Sequence, residues 1–331
     1  IEGIGDDDYG VYGDYVVLFP DEITYLNWIF TRGDSFEETI TGERGFSTNL
    51  YGYFISGLYL VSGFNWKILF VIGALNFSFF FYSCLKLLNY FCKDRPRLVL
   101  LATSLVVLSP VVINLSSGFM RDQMIIGIIN FSILSILNRK AFSFIFCVML
   151  ILLLRNFMIV VLVPIYTYFF FYFKQTILGF NKSAFLLFIS VILGLSIYFF
   201  LNAIGAVNKN IIEIALRFFE LITGLNKVVL NAHEAWFAEG AVLFEILAHL
   251  YQFLIVICVY TYIIKRNLKI NSLLVAILGT CLLLAIVYGS FLGFFVARTK
   301  LIILWLLILF LTISNHRDLL NYSFPASRGS R

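Results

Sequence analysis

The sequence predicts an all-α fold: a polytopic bundle of transmembrane helices with two larger segments on its outer face. Hydrophobic residues make up 61% of the 331 residues and charged residues only 13%. A soluble domain has about 45–50% apolar and about 25% charged residues. No soluble fold has enough interior to bury so much apolar surface, so lipid must cover part of it. The composition therefore excludes a soluble enzyme, a disordered chain, a disulfide scaffold and a nucleic-acid-binding module.

Long apolar segments between the charged residues indicate the membrane-spanning helices. A span needs about 20 mainly apolar residues, within a range of about 17–25. The segments are residues 68–91, 98–116, 123–138, 141–154, 157–173, 183–204, 241–264, 270–290 and 299–315. These nine segments predict nine helices. The fourth would be only about 21 Å long, so 141–173 has a second interpretation, as one element bent around Arg155 and Pro164.

Basic clusters on every second turn predict the orientation of these helices. They are Lys93–Arg97, Arg139–Lys140, Lys174 with Lys182, Lys265–Lys269, and Arg317. Because cytoplasmic loops are enriched in Lys and Arg, all five clusters are satisfied with the C-terminus inside and the N-terminal segment outside. Residues 1–43 hold eleven of the 19 acidic residues and one base, a net charge of −10. So acidic a segment does not cross a membrane unaided, and we expect a further hydrophobic helix before Ile1.

This topology divides the chain into five regions. They are an acidic outer segment with an interfacial helix (1–67), transmembrane helices (68–204), an outer loop with an amphipathic helix (205–240), further transmembrane helices (241–315) and a cytoplasmic tail (316–331). The amphipathic helix is predicted by apolar residues that recur at helical spacing between Ile211 and Leu221. Such a helix would lie on the outer membrane surface.

Four bases lie on the outer side of the predicted topology, where the orientation rule does not account for them. They are Arg121, Arg155, Arg298 and Lys300. Charges at such depth usually face the bundle interior or a water-filled cavity, and Arg offers forked donors to phosphate. Each base alone is equally well explained by a local carboxylate or by snorkelling to headgroups. Taken together, the four predict a clamp for a phosphate or diphosphate.

Carboxylates and one histidine are the candidate acid–base groups. Asp122 follows Arg121, so an ion pair between them is the simplest interpretation, although neighbours in a helix do not face each other. Asp21 or Glu22 could act as a general base, but a helix N-terminus explains their positions better. His233, in the outer loop, could be a base or a phosphate ligand, and a surface anchor beside Trp236 is equally natural.

Metal and nucleotide sites receive little support from the sequence. The acidic run Asp6–Asp8 could attract a divalent cation, but a solvated acidic run is the better interpretation. No Walker A loop or dinucleotide fingerprint occurs in the chain. His249 lies inside an apolar segment with Glu245 four residues before it, a spacing that favours a paired buried couple. We therefore assign no metal ligand and no cofactor.

Several short motifs carry a family resemblance. An acidic outer segment with Pro20–Tyr25, followed by Ser109–Pro110 and then Arg121–Asp122, resembles the multi-span GT-C membrane glycosyltransferases. The chain is also similar to bacterial polysaccharide polymerases of the Wzy and EpsG kind. That second similarity rests on Tyr25, Glu43–Phe46, Arg121 at the start of one helix and Arg298 at the start of a late one.

The resemblance implies transfer of sugars from undecaprenyl phosphate or diphosphate at the periplasmic face of a bacterial inner membrane. The O-antigen or capsular repeat-unit polymerase is the leading interpretation. A single-sugar transferase with a polyprenyl-monophosphate donor and a flippase for lipid-linked oligosaccharides are the alternatives. The implied partners are the undecaprenyl-linked saccharide, membrane lipid and a chain-length regulator protein.

In this interpretation the site residues divide into two groups. The catalytic group is Asp21, Glu22, Arg121, Asp122 and His233. The substrate-binding group is Arg155, Arg298, Lys300, Tyr25, Arg44, Arg217 and Glu234.

Overall fold

The computed structural model describes fourteen stretches of the chain. They are residues 11–12, 15–16, 51, 54–55, 57–58, 61–62, 67–117, 121–155, 157–172, 176–203, 211–223, 239–265, 271–289 and 297–323. Only the backbone is described at residues 11–12, 15–16, 114–117, 211, 239–245, 288–289, 297–299 and 315–323.

α-Helices dominate these residues, and two short antiparallel hairpins accompany them. The helices are α1 (Ile68–Phe91), α2 (Pro96–Val107), α3 (Pro110–Ser117), α4 (Asp122–Leu137), α5 (Ala141–Leu154), α6 (Met158–Phe170), α7 (Lys182–Ala203), α8 (Ile211–Thr223), α9 (Glu239–Lys265), α10 (Ser272–Gly289) and α11 (Ala297–Ser323). The hairpins pair β1 (Val11–Tyr12) with β2 (Tyr15–Val16) and β3 (Thr176–Ile177) with β4 (Phe180–Asn181).

Three of the helices are long and apolar enough to cross a membrane, within the described residues. They are Phe70–Phe91 of α1, Lys182–Ala203 of α7 and Ile246–Lys265 of α9. Their outward faces carry exposed apolar side chains, such as Leu75, Leu187 and Leu254, each more than half exposed. Over the residues whose side chains are described, six other apolar helices are shorter, at 10–17 residues, and of α10 and α11 these are Ser272–Val287 and Lys300–Ser314. A continuous apolar exterior of this kind needs lipid to cover it, and the chain is thus a helical membrane protein.

The prediction of one helix over 98–116 is wrong. The chain forms α2 and α3 there, with a break at Leu108 and Ser109. Pro110 opens α3 and disfavours helical backbone at the residue before it. The amide of Val112 donates to the Ser109 carbonyl at 3.0 Å, so the chain starts a new helix at the break.

The region 141–173 forms two helices rather than one bent element. α5 ends at Leu154, and α6 begins at Met158. Between them Arg155 has extended backbone, with φ −163° and ψ 85°. Because α4, α5 and α6 follow one another through three-residue turns and contact each other, they form an antiparallel three-helix unit. The start of α4, the end of α5 and the start of α6 therefore lie at one end of this unit.

A buried polar network joins three helices in the core. The indole Nε1 of Trp305 on α11 donates to Asn130 Oδ1 on α4 at 2.7 Å, and Asn130 Nδ2 donates to Ser83 Oγ on α1 at 3.0 Å. All three residues are fully buried. Polar groups inside a membrane bundle must find partners within the protein, so this network fixes how α11 sits against α1 and α4.

Candidate anion-binding site

Two of the predicted site residues meet where α4 begins and α5 ends. Asp122 is the first residue of α4, and Arg155 directly follows α5. Arg155 Nη1 donates a hydrogen bond to Asp122 Oδ1 at 2.7 Å, with side chains 17% and 9% exposed respectively. A charge-assisted hydrogen bond in so dry a setting is among the stronger polar contacts in a protein. It ties the end of α5 to the start of α4.

The simplest sequence interpretation, a pair between Arg121 and Asp122, is wrong. Asp122 pairs with Arg155 instead, because adjacent residues at a helix start point in different directions. Arg121 precedes α4 and is partly buried. Its Nη1 atom is buried and has no hydrogen-bond partner in the part of the chain that the structure describes.

Among the described residues, the single carboxylate of Asp122 is paired with Arg155, and the buried Nη1 of the adjacent Arg121 has no partner. A buried donor without a partner costs about 1–3 kcal/mol, and more when it is charged. An anion bound against Arg121 would remove this cost. Asp122 would at the same time hold Arg155 in a fixed orientation beside it. The arrangement is therefore suited to binding a phosphate-type group.

Contacts around the start of α4 support the cluster. Gln123 Nε2 donates to the carbonyl oxygen of Val112 at 3.1 Å, which attaches α3 to α4 directly beside the two arginines. Gln123 is fully buried. This hydrogen bond fixes the direction in which α4 leaves the site.

Lys300 lies deeper than the sequence analysis expects. Its ammonium is 3.1 Å from His249 Nδ1, and both residues are 1% exposed. The ammonium points into the bundle between α9 and α11, so any anion that it binds must enter the bundle. The sequence analysis predicts that His249 pairs with Glu245, whose side chain lies outside the described residues.

Arg217 forms a local ion pair on α8. Its Nη1 atom donates to Glu220 Oε1 at 2.6 Å, three residues along the helix. The predicted amphipathic helix is confirmed, but its apolar stripe of Ile212, Leu216 and Phe219 is exposed while the ion pair is largely buried. Lipid is the natural cover for that stripe, and the charged flank turns toward the protein.

The remaining predicted site residues lie outside the described part of the chain. They are Asp21, Glu22, Tyr25, Arg44, His233 and Glu234, together with the acidic run Asp6–Asp8. The backbone of Arg298 lies in the first turn of α11, and its side chain is not described. No group of three or more metal-binding side chains occurs among the described residues.

The residues of the site are the basis for a functional proposal, because no known protein supplies one. Arg121, Asp122 and Arg155 are the predicted residues that the described structure brings together. No protein-family model, curated protein or solved structure matches the chain.

Proposed function

We propose that the protein is an integral membrane glycosyltransferase that uses undecaprenyl-linked sugars, and specifically a polymerase of O-antigen or capsular repeat units. The observation that carries this proposal is the buried Nη1 of Arg121, without a partner among the described residues, beside the Arg155–Asp122 pair. A lipid-linked diphosphate offers anionic oxygens at the membrane boundary. Arginine can bind two such oxygens through parallel hydrogen bonds.

The proposal includes a nine-span topology in a bacterial inner membrane, with the N-terminal segment in the periplasm. Three helices that meet the length and hydropathy of a span, and shorter apolar helices close to the other predicted segments, support it. In that topology α4 begins and α5 ends at the periplasmic boundary. The arginine cluster then lies at the depth of a lipid diphosphate whose sugar faces water.

The proposed reaction is an inverting transfer. An acceptor hydroxyl attacks the anomeric carbon of the donor sugar, and the carbon–oxygen bond to the diphosphate breaks as its electron pair leaves with the diphosphate. Arg121 and Arg155 stabilise the negative charge that develops on the leaving group, while Asp122 positions Arg155. Asp21, Glu22 or His233 takes the proton from the acceptor hydroxyl.

The test is chain extension by purified protein supplied with undecaprenyl-diphosphate repeat units. Arg121→Gln removes the unpaired charge, and we expect kcat/KM to fall by about 100-fold or more. Lys86→Gln, at an exposed base on α1, is the matched control and should retain activity. Gel filtration and thermal unfolding would verify that both variants are folded. Wild-type extension by folded Arg121→Gln would rule the proposal out.

The single-sugar transferase remains within the same proposal, because the site would accept a monophosphate as well as a diphosphate. The product separates the two activities: a polymerase yields a ladder of repeat units, whereas a side-branch transferase yields one added hexose.

A flippase is the second candidate function, and the buried Lys300–His249 contact favours it. Ionisable residues inside a membrane bundle often mark substrate or proton pathways. Movement of labelled lipid-linked saccharide across vesicles, without a new glycosidic bond, would support this function. Loss of that movement in Lys300→Met, with chain extension absent from the wild type, would assign the protein to transport.

A further inference from the structure

A second basic site lies at the end of the three-helix unit opposite Arg121. A cavity of about 390 Å³ opens between the end of α4, the start of α5 and the end of α6. Its wall includes Leu137, Phe144, Phe169 and Phe170, and the turn residues Arg139 and Lys140 line it as well. α4 is 16 residues long, so this cavity is about 24 Å from the arginine cluster along the helix axis.

The backbone of the turn gives an independent reason to consider Arg139. α4 ends in a Schellman motif, in which the amide of Lys140 donates to the Ser135 carbonyl at 2.8 Å and that of Arg139 to Ile136 at 3.0 Å. Arg139 occupies the left-handed position of this motif, with φ 57°. Glycine is the usual residue there, since any Cβ is sterically disfavoured. An arginine in place of glycine at this position makes the Arg139 side chain a candidate for a functional role.

The cavity lining combines two kinds of chemistry. Arg139 and Lys140 are both exposed and supply two positive charges, and none of the described residues that line the cavity is acidic. Most of the remaining wall is aromatic or aliphatic. The hydroxyl of Ser135 is already bonded, to the Phe131 carbonyl and to Ser143 Oγ, each at 2.8 Å. The volume falls within the range of about 300–1,000 Å³ typical of small-molecule sites.

We propose that this cavity binds an anionic phospholipid, with its phosphate between Arg139 and Lys140 and an acyl chain along Phe144, Phe169 and Phe170. A free inorganic anion would leave the aromatic wall exposed, whereas a zwitterionic lipid would bring a competing positive charge to the two bases. An anionic lipid places its phosphate against the two bases and its acyl chain against the aromatic wall. Basic pockets between transmembrane helices bind such headgroups in other proteins. The site is independent of the proposed transferase function.

The experiment measures lipid retention by native mass spectrometry of the full chain exchanged into detergent containing phosphatidylglycerol or phosphatidylcholine. The wild type should retain phosphatidylglycerol in preference. Each base near a membrane surface contributes about a fivefold change in affinity. We therefore expect the double variant Arg139→Gly with Lys140→Gln to bind phosphatidylglycerol about 25-fold more weakly. The matched control, Lys93→Gln with Arg97→Gln, removes two exposed bases, one in the turn before α2 and one in the first turn of α2, and should bind as the wild type does.

Three outcomes would overturn the lipid assignment. They are equal retention of the two lipids by the wild type, wild-type retention by the Arg139→Gly, Lys140→Gln variant, and an equal loss in the control variant. Inorganic phosphate is tested separately by thermal unfolding, and we expect no stabilisation. A phosphate-dependent stabilisation equal to that given by phosphatidylglycerol would assign the site to a free anion instead. The Arg139→Gly variant should fold as the wild type does, because glycine relieves the strained backbone at position 139. Arg139→Ala also removes the charge but retains the strain, and its stability serves as the comparison.

Discussion

Asp122 and Arg155 lie 33 positions apart in the sequence, yet their side chains form an ion pair 2.7 Å long. The pair closes the gap between the first residue of α4 and the turn after α5. It holds one arginine in place and leaves the neighbouring Arg121 available for a ligand. The structural and functional parts of the cluster can therefore be separated by mutation.

Removal of Asp122 should destabilise the protein as well as disturb the site. Asp122→Ala leaves the largely buried guanidinium of Arg155 without its carboxylate, and we expect a loss of about 3 kcal/mol in the free energy of unfolding. The double variant Asp122→Ala with Arg155→Met should be less destabilised than the sum of the single variants. Thermal unfolding in detergent measures this coupling. Additive single effects would show that the ion pair contributes nothing.

The close packing of α10 against α7 and α6 makes Gly279 sensitive to any side chain. An added Cβ would overlap Ser190 Oγ and lie 2.9 Å from Ser190 Cβ. We expect Gly279→Ala to lower the free energy of unfolding by about 1–3 kcal/mol, and Ser190→Gly in the same chain to restore part of the loss. Gly57→Ala is the matched control, because a Cβ there meets nothing within 4 Å. Equal unfolding temperatures for the two alanine variants would contradict the packing.

The Lys300–His249 contact predicts an asymmetric response to mutation. His249→Leu removes the acceptor 3.1 Å from a buried ammonium, and the expected cost is about 3 kcal/mol. Lys300→Met removes the charge itself, so the double variant His249→Leu with Lys300→Met should be more stable than His249→Leu alone. Unfolding temperatures of the three variants measure the difference. A double variant less stable than His249→Leu would refute this account.

Cys92 predicts a pH-dependent reactivity at the end of α1. The side chain is fully buried, and burial raises the pKa of its thiol to about 11 although Arg95 acts in the opposite direction. Because the thiolate is the nucleophile, labelling by maleimide should be slow at neutral pH and accelerate as the pH approaches 11. The measurement uses a chain in which Cys92 is the only cysteine. Fast labelling at pH 7 by folded protein would contradict the burial.

Helix positions were the most predictable part of the fold. The segment 68–91 coincides with α1 (Ile68–Phe91), and 141–154 coincides with α5 (Ala141–Leu154), because charged turns bound each apolar run. The sequence analysis does not predict the break before Pro110, because the apolar run continues through the proline and its length favours a single helix. Local composition determines where such helices lie, and a single proline within an apolar run divides the predicted helix into two.

The sequence singles out Asp122 and Arg155 separately, but it does not predict that they form a pair. Arg121 and Arg155 stood out because they are charges at the wrong boundary for the orientation rule. Their partners depend on which helices pack together, and one sequence does not determine that packing. The contact of His249 with Lys300 from α11 likewise joins two helices that are distant in the sequence, whereas a pair with Glu245 on the same helix stays a prediction.

The bond between Trp305 and Asn130 has a consequence for the order in which the protein assembles. The two residues are 175 positions apart, so Asn130 Oδ1 meets this donor only after α11 has been synthesised. Until then this oxygen lacks its hydrogen bond, and an unsatisfied polar group is costly in a bilayer. We therefore expect a chain terminated before α11 to be degraded faster than one that includes α11.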